Sequence, residues 1–453
     1  MAIHRDFNPR ILIFILTVVF LHAATFFFGI RHGHPYYGYP KSDSYGYLAQ
    51  AKNIRDAGSW YCGDLDSGFD PNLVSQRPPL YGLVIYLTGG ILPPHMGLLI
   101  IQNLLGIANI LFMFWLGTRF LGIRKDHPGW FALLWFPSQF IFANVVMSEI
   151  LFQSFVLTSV AFLMAFLKCG RRRDLYVSQF ALALAMLTKP VMYLMWMPMA
   201  LFLLVYMIRK RTGIRYIPAI LIPFLTVLGI SLHNRQATGY LHYASIRNFN
   251  LLYYNTNYTL QEAVGAEKAD IMITDLTHRI AHATTYAEGQ RLLEAQCLHW
   301  LWQYKGVYAR MEGKGLLKFF LDPGRWDLYN FLGLPQNDQP GWMSRYQTGG
   351  AKAVLAYVAS FPTWVWLFMF LTYGINIWML IGLMHFVRGR YPERHMRIAV
   401  TGTILYFAVL AGPLASGRFR LPVYPLIAMA ALSGWAHRKT TTAAHDRPMV
   451  SLE

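Results

Sequence analysis

The chain has 453 residues, of which 55% are hydrophobic, 16% aromatic and only 14% charged. A soluble domain carries about a quarter charged residues, and several apolar runs here reach the roughly 20 residues a helix needs to cross a bilayer, so the composition excludes a soluble class. The net charge of +18 does not indicate nucleic acid, because the basic residues sit in short segments between hydrophobic runs, as membrane topology requires.

The N-terminal segment MAIHRDFNPR precedes the apolar run ILIFILTVVFLHAATFFFGI. That run is longer than a typical signal-peptide core and no small-residue cleavage site follows, so it reads as a retained first span. Further apolar runs fall near 96–118, 129–147, 150–167, 175–188, 190–208, 214–231, 363–387, 398–415 and 421–436. With 11–30 they predict an all-α polytopic membrane protein of about ten transmembrane helices. The segments RKDHPG (124–129), KCGRRRD (168–174), RKRTGIR (209–215), RGRYPERHMR (388–397) and HRKT (437–440) are short and basic, which places them in the cytoplasm together with both termini.

Two long segments then lie outside. The first, 31–95, carries Asp43, Asp64, Asp66, Asp70 and Arg77 and ends in PPLYGLVIYLTGGILPP, apolar but too short and rich in Gly and Pro to span. The second, 232–350, regains charge and shows amphipathic helical spacing, as in THRIAHATTYAEGQRLLEAQCLHWLWQYKGVYARM. The expected organisation is an N-terminal membrane module (1–231) with its extracytoplasmic loop 31–95, an extracytoplasmic helical region (232–350), and C-terminal membrane helices with a cytoplasmic tail (351–453). Cys62, Cys169 and Cys297 are far apart and fit no zinc spacing; the one disulfide the topology allows is Cys62–Cys297. His278 and His282 stand at i,i+4 spacing without a third ligand nearby, the pattern of a solvated helix face more than of a metal site.

Isolated charges inside apolar runs are the clearest chemical signal. Glu149 is alone between Gly129 and Leu167, Lys189 between Leu175 and Ile208, and Arg418 and Arg420 between Ala399 and His437. A charge near the bilayer centre costs about 2.5–3.5 kcal/mol on insertion scales, so such residues face protein or water and mark function. Under the expected topology these three sites, and Asp43, all lie at the outer face. Lys189 follows a run of roughly 14 residues, about 21 Å of helix, so it should lie below the outer surface.

An outward-facing site with carboxylates and fixed cations suits a phosphate-bearing substrate. The outer compartment lacks nucleotide sugars, so a phosphate donor there would be lipid-linked. A carboxylate can take the proton of an attacking hydroxyl, and the cations can stabilise charge on the departing phosphate. The reading is a glycosyltransferase with Asp43 as general base. The alternative is a lipid or glycolipid transporter or flippase, which would show internal repeats and midplane sites; no repeat is visible.

The ordered motifs SDSYGYLAQA, RPPLY, MSEILF, LALAMLTKP and GRFRLPVYP resemble those of the GT-C superfamily of membrane glycosyltransferases, in particular the bacterial branch around protein O-mannosyltransferases and the lipid A aminoarabinose transferase. The resemblance covers most of 1–231 and 396–430. It implies Asp43 as the catalytic carboxylate and Lys189, Arg418 and Arg420 on the donor phosphate. Glu149 would orient donor or acceptor, or coordinate a divalent cation if one is used; Ser44 stands where family members often carry a second acid, so no cofactor is required and metal binding stays open. Tyr45, Tyr47 and Tyr81 would line the pocket. Arg77 would bind substrate or pair with Asp64, Asp66 or Asp70 to fold the loop. The implied partners are a polyprenyl-phosphate-linked sugar, a lipid, glycan or protein acceptor and membrane lipids, with no nucleic acid. The implied location is the bacterial inner membrane, with the site facing the periplasm or exterior.

Overall fold

The computed structural model describes residues 8–32, 35–36, 43–211, 214–334, 350–353, 355–356, 359 and 362–438. Lys41, the end of the external region (335–349) and the tail beyond Arg438 fall outside them. The described residues are helical, and no strand occurs among them. Among the described residues, six segments are long and apolar enough to cross a membrane: Pro9–His32 (α1), Met96–Phe120 (α5), Glu149–Cys169 (α7), Pro190–Lys210, which contains α9 (Trp196–Lys210), Ile214–Thr238, which contains α10 (Ile217–Thr238), and Thr363–Arg388 (α17).

The distribution of polarity is that of a protein dissolved in lipid. Leu16, Phe20 and Phe27 of α1, Leu225 and Leu232 of α10 and Phe370 of α17 are exposed, whereas His22, Gln102, Asn109, Gln139 and Gln153 are buried. Apolar residues can face hydrocarbon at no cost, while polar side chains turn inward to find partners.

Of the other expected spans, 175–188 lies in α8 (Arg172–Thr188), 398–415 begins in α18 (Arg394–Leu410), and 421–436 ends in α20 (Tyr424–Ala436). These are shorter helices, packed inside the bundle. The run 129–147 differs from the expected continuous helix. It is broken into a 3-10 turn (Pro128–Leu134), α6 (Pro137–Ile141) and a second 3-10 turn (Phe142–Asn144), because Pro137 cannot continue a helical ladder. Irregular backbone at membrane depth survives only where protein satisfies it. Here residues 138–151 are buried, and the amide of Gln102 donates to the carbonyls of Ala143 (3.2 Å) and Val145 (2.9 Å).

The basic turns gather at one end of the bundle: Tyr391 stacks on His437 at 4.3 Å, Lys168 lies over Phe120, and the Tyr216 hydroxyl reaches Gly170 O. The other end carries α2 (Asp43–Ala57), α3 (Pro71–Val74), α4 (Pro79–Leu87) and the external helices. These external helices are α11 (Ile246–Asn250), a π turn at Leu251–Thr256, α12 (Asn257–Val264), α13 (Ala266–Ala281), α14 (Tyr286–Gln303), α15 (Lys305–Leu321) and α16 (Arg325–Phe331). The π turn, α12, α13 and α14 build a second, small core around Leu252, Leu260, Ile273, Leu276 and Leu293, while Phe319 of α15 and Phe331 of α16 join the main core. The last short piece, Gly417–Arg420 (α19), packs against α15 and α18.

Candidate active site

Four chain segments bring their isolated charges to one place. Asp43 opens α2, Glu149 opens α7, Lys189 ends α8, and Arg418 lies in α19. Arg418 Nε donates to Glu149 Oε1 at 2.6 Å, and Lys189 Nζ donates to the same oxygen at 2.6 Å. The other arm of Arg418 donates to Asp43 Oδ2, and Arg77 donates to Asp43 Oδ1. The side chain of Glu149 is fully buried, while those of Arg77, Arg418, Lys189 and Asp43 retain 10, 14, 15 and 25% exposure.

Three cations thus face two carboxylates, leaving one positive charge in a partly enclosed site. Burial alone would raise the Asp43 carboxyl, but the guanidiniums of Arg77 and Arg418 outweigh it and hold the group well below the usual carboxylate range. Two polar atoms of this cluster have no partner among the described residues: Glu149 Oε2 and Arg77 Nε are both buried and unbonded there. Buried polar atoms are nearly always satisfied, so the network has unused bonding capacity.

Arg77 pairs with Asp43, not with Asp64, Asp66 or Asp70. The latter acids serve the loop itself, Asp70 capping α3 by accepting from Asn72 N at 2.8 Å. Tyr47 is buried beneath the cluster, with the Arg77 guanidinium 5.4 Å from its ring centre and its hydroxyl 2.9 Å from Ser148 Oγ. Tyr81, expected to line the pocket, is fully buried; it packs edge-on to Tyr47 and donates to Gln102 Oε1 at 2.6 Å. Tyr45 is the exposed member of the set and stacks on Tyr36.

Arg420, expected beside Arg418 on the phosphate, points elsewhere. Successive helical residues turn by about 100°, so two positions apart on α19 they face nearly opposite ways. Arg420 is buried between Phe136 and Tyr424 and donates to the carbonyls of Phe320 and Asp322. The turn at 320–324 therefore anchors α19. Asp322 completes the anchor by accepting from Gly417 N at 2.7 Å.

Tyr254 was not legible in the sequence. It comes from the π turn of the external region, close enough to Asp43, Arg418 and Arg77 to feel their charges. Cys62, Cys169 and Cys297 are all free, so the Cys62–Cys297 disulfide is not formed. His278 and His282 stack at 4.2 Å, and no group of three His, Cys, Asp or Glu side chains suited to a metal occurs among the described residues.

No family model and no curated protein matches this chain. Solved structures do. ArnT from Cupriavidus metallidurans bound to undecaprenyl phosphate matches over 96% of this chain and 79% of its own, at 15% identity and a TM-score of 0.37. The archaeal oligosaccharyltransferase AglB from Archaeoglobus fulgidus, in complex with an inhibitory peptide and a dolichol-phosphate, matches over 97% of this chain and 52% of its own, at 11% identity and a TM-score of 0.44. The likeness is too distant to assign any residue, so the roles below rest on the ionic cluster and the sequence motifs.

Proposed function

We propose that this protein is a membrane glycosyltransferase that moves a sugar from a polyprenyl phosphate to a hydroxyl acceptor at the outer face of the membrane. The observation that carries the reading is the single surplus positive charge of the Asp43–Arg77–Arg418–Glu149–Lys189 cluster. A polyprenyl phosphosugar is a phosphodiester with one negative charge, and it would neutralise that surplus. The cluster lies at the end of the bundle opposite the basic turns, which the positive-inside rule puts outside; in a bacterium this is the periplasmic side of the inner membrane.

In the proposed reaction the acceptor oxygen attacks the anomeric carbon, the bond from that carbon to the phosphate oxygen breaks, and the phosphate leaves with the electron pair. The acceptor proton passes to Asp43. The phosphate gains charge as it departs, and Arg418 and Lys189 stabilise that gain. Arg418 has a second task. While it and Arg77 clamp Asp43, the carboxylate is a weak base; when the donor phosphate draws Arg418 away, Asp43 recovers basicity only with donor in place.

The test is turnover of a polyprenyl-phosphate sugar by purified Asp43→Asn protein that inserts and folds normally. Loss of transfer is expected, and turnover at the wild-type rate would refute the assignment. A flippase would instead move labelled lipid across reconstituted vesicles with no glycosidic product.

A further inference from the structure

Beside the ionic cluster lies a cavity of about 330 Å³ between α3, α11, the π turn, α13 and α14. Its wall begins at Gln76, next to the Arg77 that holds Asp43, and Gln76 Oε1 packs against Gly46 of α2, one helical turn beyond Asp43. Its polar lining consists mainly of amides and hydroxyls: Gln76, Asn72, Asn248 and Gln290 together with Ser245 and Thr277. Phe249 and Tyr253 border it with partly exposed rings.

The walls are held in place by bonds between distant segments. Ser245 Oγ donates to Asn72 O at 2.5 Å, Ser75 Oγ lies 2.6 Å from His242 Nε2, and the Asn248 amide donates to Gln290 Oε1 at 2.8 Å. Asn248 is only 4% exposed, yet its Oδ1 has no hydrogen-bond partner. An orphaned acceptor at such depth is rare in a folded protein and asks for a donor from outside it.

We infer that this cavity is the acceptor subsite and that it takes an uncharged saccharide. The inference deepens the glycosyl-transfer reading and rests on it. Side-chain amides offer donors and acceptors together, matching a ligand whose every hydroxyl does both. Aromatic rings present an electron-rich face on which the C–H side of a sugar ring can lie. Among the described residues the lining has no basic side chain, and its one acid, Asp70, already spends its carboxylate on capping α3. An anionic group would find no countercharge there. Gln76 of the cavity wall is the chain neighbour of Arg77, which holds Asp43, the group proposed to take the acceptor proton.

Saturation-transfer NMR on the full-length protein in nanodiscs tests this with methyl α-mannopyranoside, methyl β-galactopyranoside, methyl β-glucuronopyranoside and an N-acetylated Ser/Thr peptide as probes. A neutral glycoside should bind, and Gln76→Leu and the more exposed Tyr253→Ala should each weaken it about tenfold, the worth of one or two lost contacts. Absence of neutral-glycoside binding, binding unaffected in both variants, or binding of only the uronate or the peptide would overturn the inference. Donor breakdown measured on the wild-type preparation reports separately on the proposed reaction: saccharide binding without it sinks that reading, and donor breakdown without saccharide binding sinks the subsite alone.

Discussion

Arg418 Nε lies 2.6 Å from Glu149 Oε1, joining residues 269 apart in sequence and fixing α19 against the start of α7. Because Arg418 also reaches Asp43, it couples the proposed base to the proposed phosphate site. Replacing Arg418 should therefore do more than lower affinity. Arg418→Ala is expected to weaken donor binding by roughly 1.5–3 kcal/mol, the worth of a hydrogen bond to a charged group. Arg418→Lys should recover little, since an ammonium cannot present the two-armed fork that spans Glu149 and Asp43. Isothermal titration with a polyprenyl phosphate would decide this; unchanged affinity in both variants would remove Arg418 from the phosphate site.

The fully buried Glu149 is the partner of two cations. Removing one member of a buried pair leaves uncompensated charge and costs about 3–5 kcal/mol. Glu149→Gln should thus lower the unfolding midpoint in detergent. It also raises the surplus charge of the cluster by one, so polyprenyl phosphate should raise the midpoint of the variant more than that of the wild type. Equal stabilisation by the lipid would argue that the phosphate binds elsewhere.

Asp43 gives a pH dependence with a definite sign. Its folded-state pKa is depressed below the ordinary value of about 4. The stability it contributes is fully present above that ordinary value and is lost as pH falls through the folded-state pKa. Thermal unfolding between pH 7 and pH 2 should show the wild type losing stability below about pH 4, with a shallower acid slope in Asp43→Asn. Parallel slopes would mean that Arg77 and Arg418 do not hold the carboxylate ionised.

Glu149, Lys189 and Arg418 were legible in the sequence because each stands nearly alone in an apolar run, where a charge is too costly to keep without use, and Asp43 because it is the first acid after the first apolar span. Their convergence followed from counting crossings and basic turns. Arg420 was misread because a sequence pair says nothing of the turn that separates two side chains around a helix axis. Arg77 was ambiguous among several acids, and only tertiary folding brings Asp43 to it. Tyr254 and Asn248 were invisible, since the external region reaches the site through a π turn and a small core that no local pattern marks. The break in 129–147 was hidden for another reason: its apolar composition reports burial, while its path depends on Pro137 and on amides from α5.

That broken segment yields the last prediction. Gln102 is buried, donates to the carbonyls of Ala143 and Val145, and accepts from the Tyr81 hydroxyl. Gln102→Leu keeps the volume roughly intact and removes all three bonds. Each polar group left unsatisfied at that depth costs about 1–3 kcal/mol, and water cannot enter to compensate. The loss should spread to the site, because Tyr81 supports Tyr47 and Tyr47 underlies Arg77. Gln102→Leu should therefore lower both the unfolding midpoint and donor turnover. Arg420→Ala offers the contrast: it loses the anchor of α19 to Phe320 and Asp322 but makes no contact with the phosphate site, so its stability should fall while Gln102-type damage around Arg77 is absent. Hydrogen exchange across 136–148 would separate the two, with faster exchange expected there for Gln102→Leu and in 320–324 for Arg420→Ala. Exchange unchanged at 136–148 in Gln102→Leu would show that the irregular span is held by packing alone.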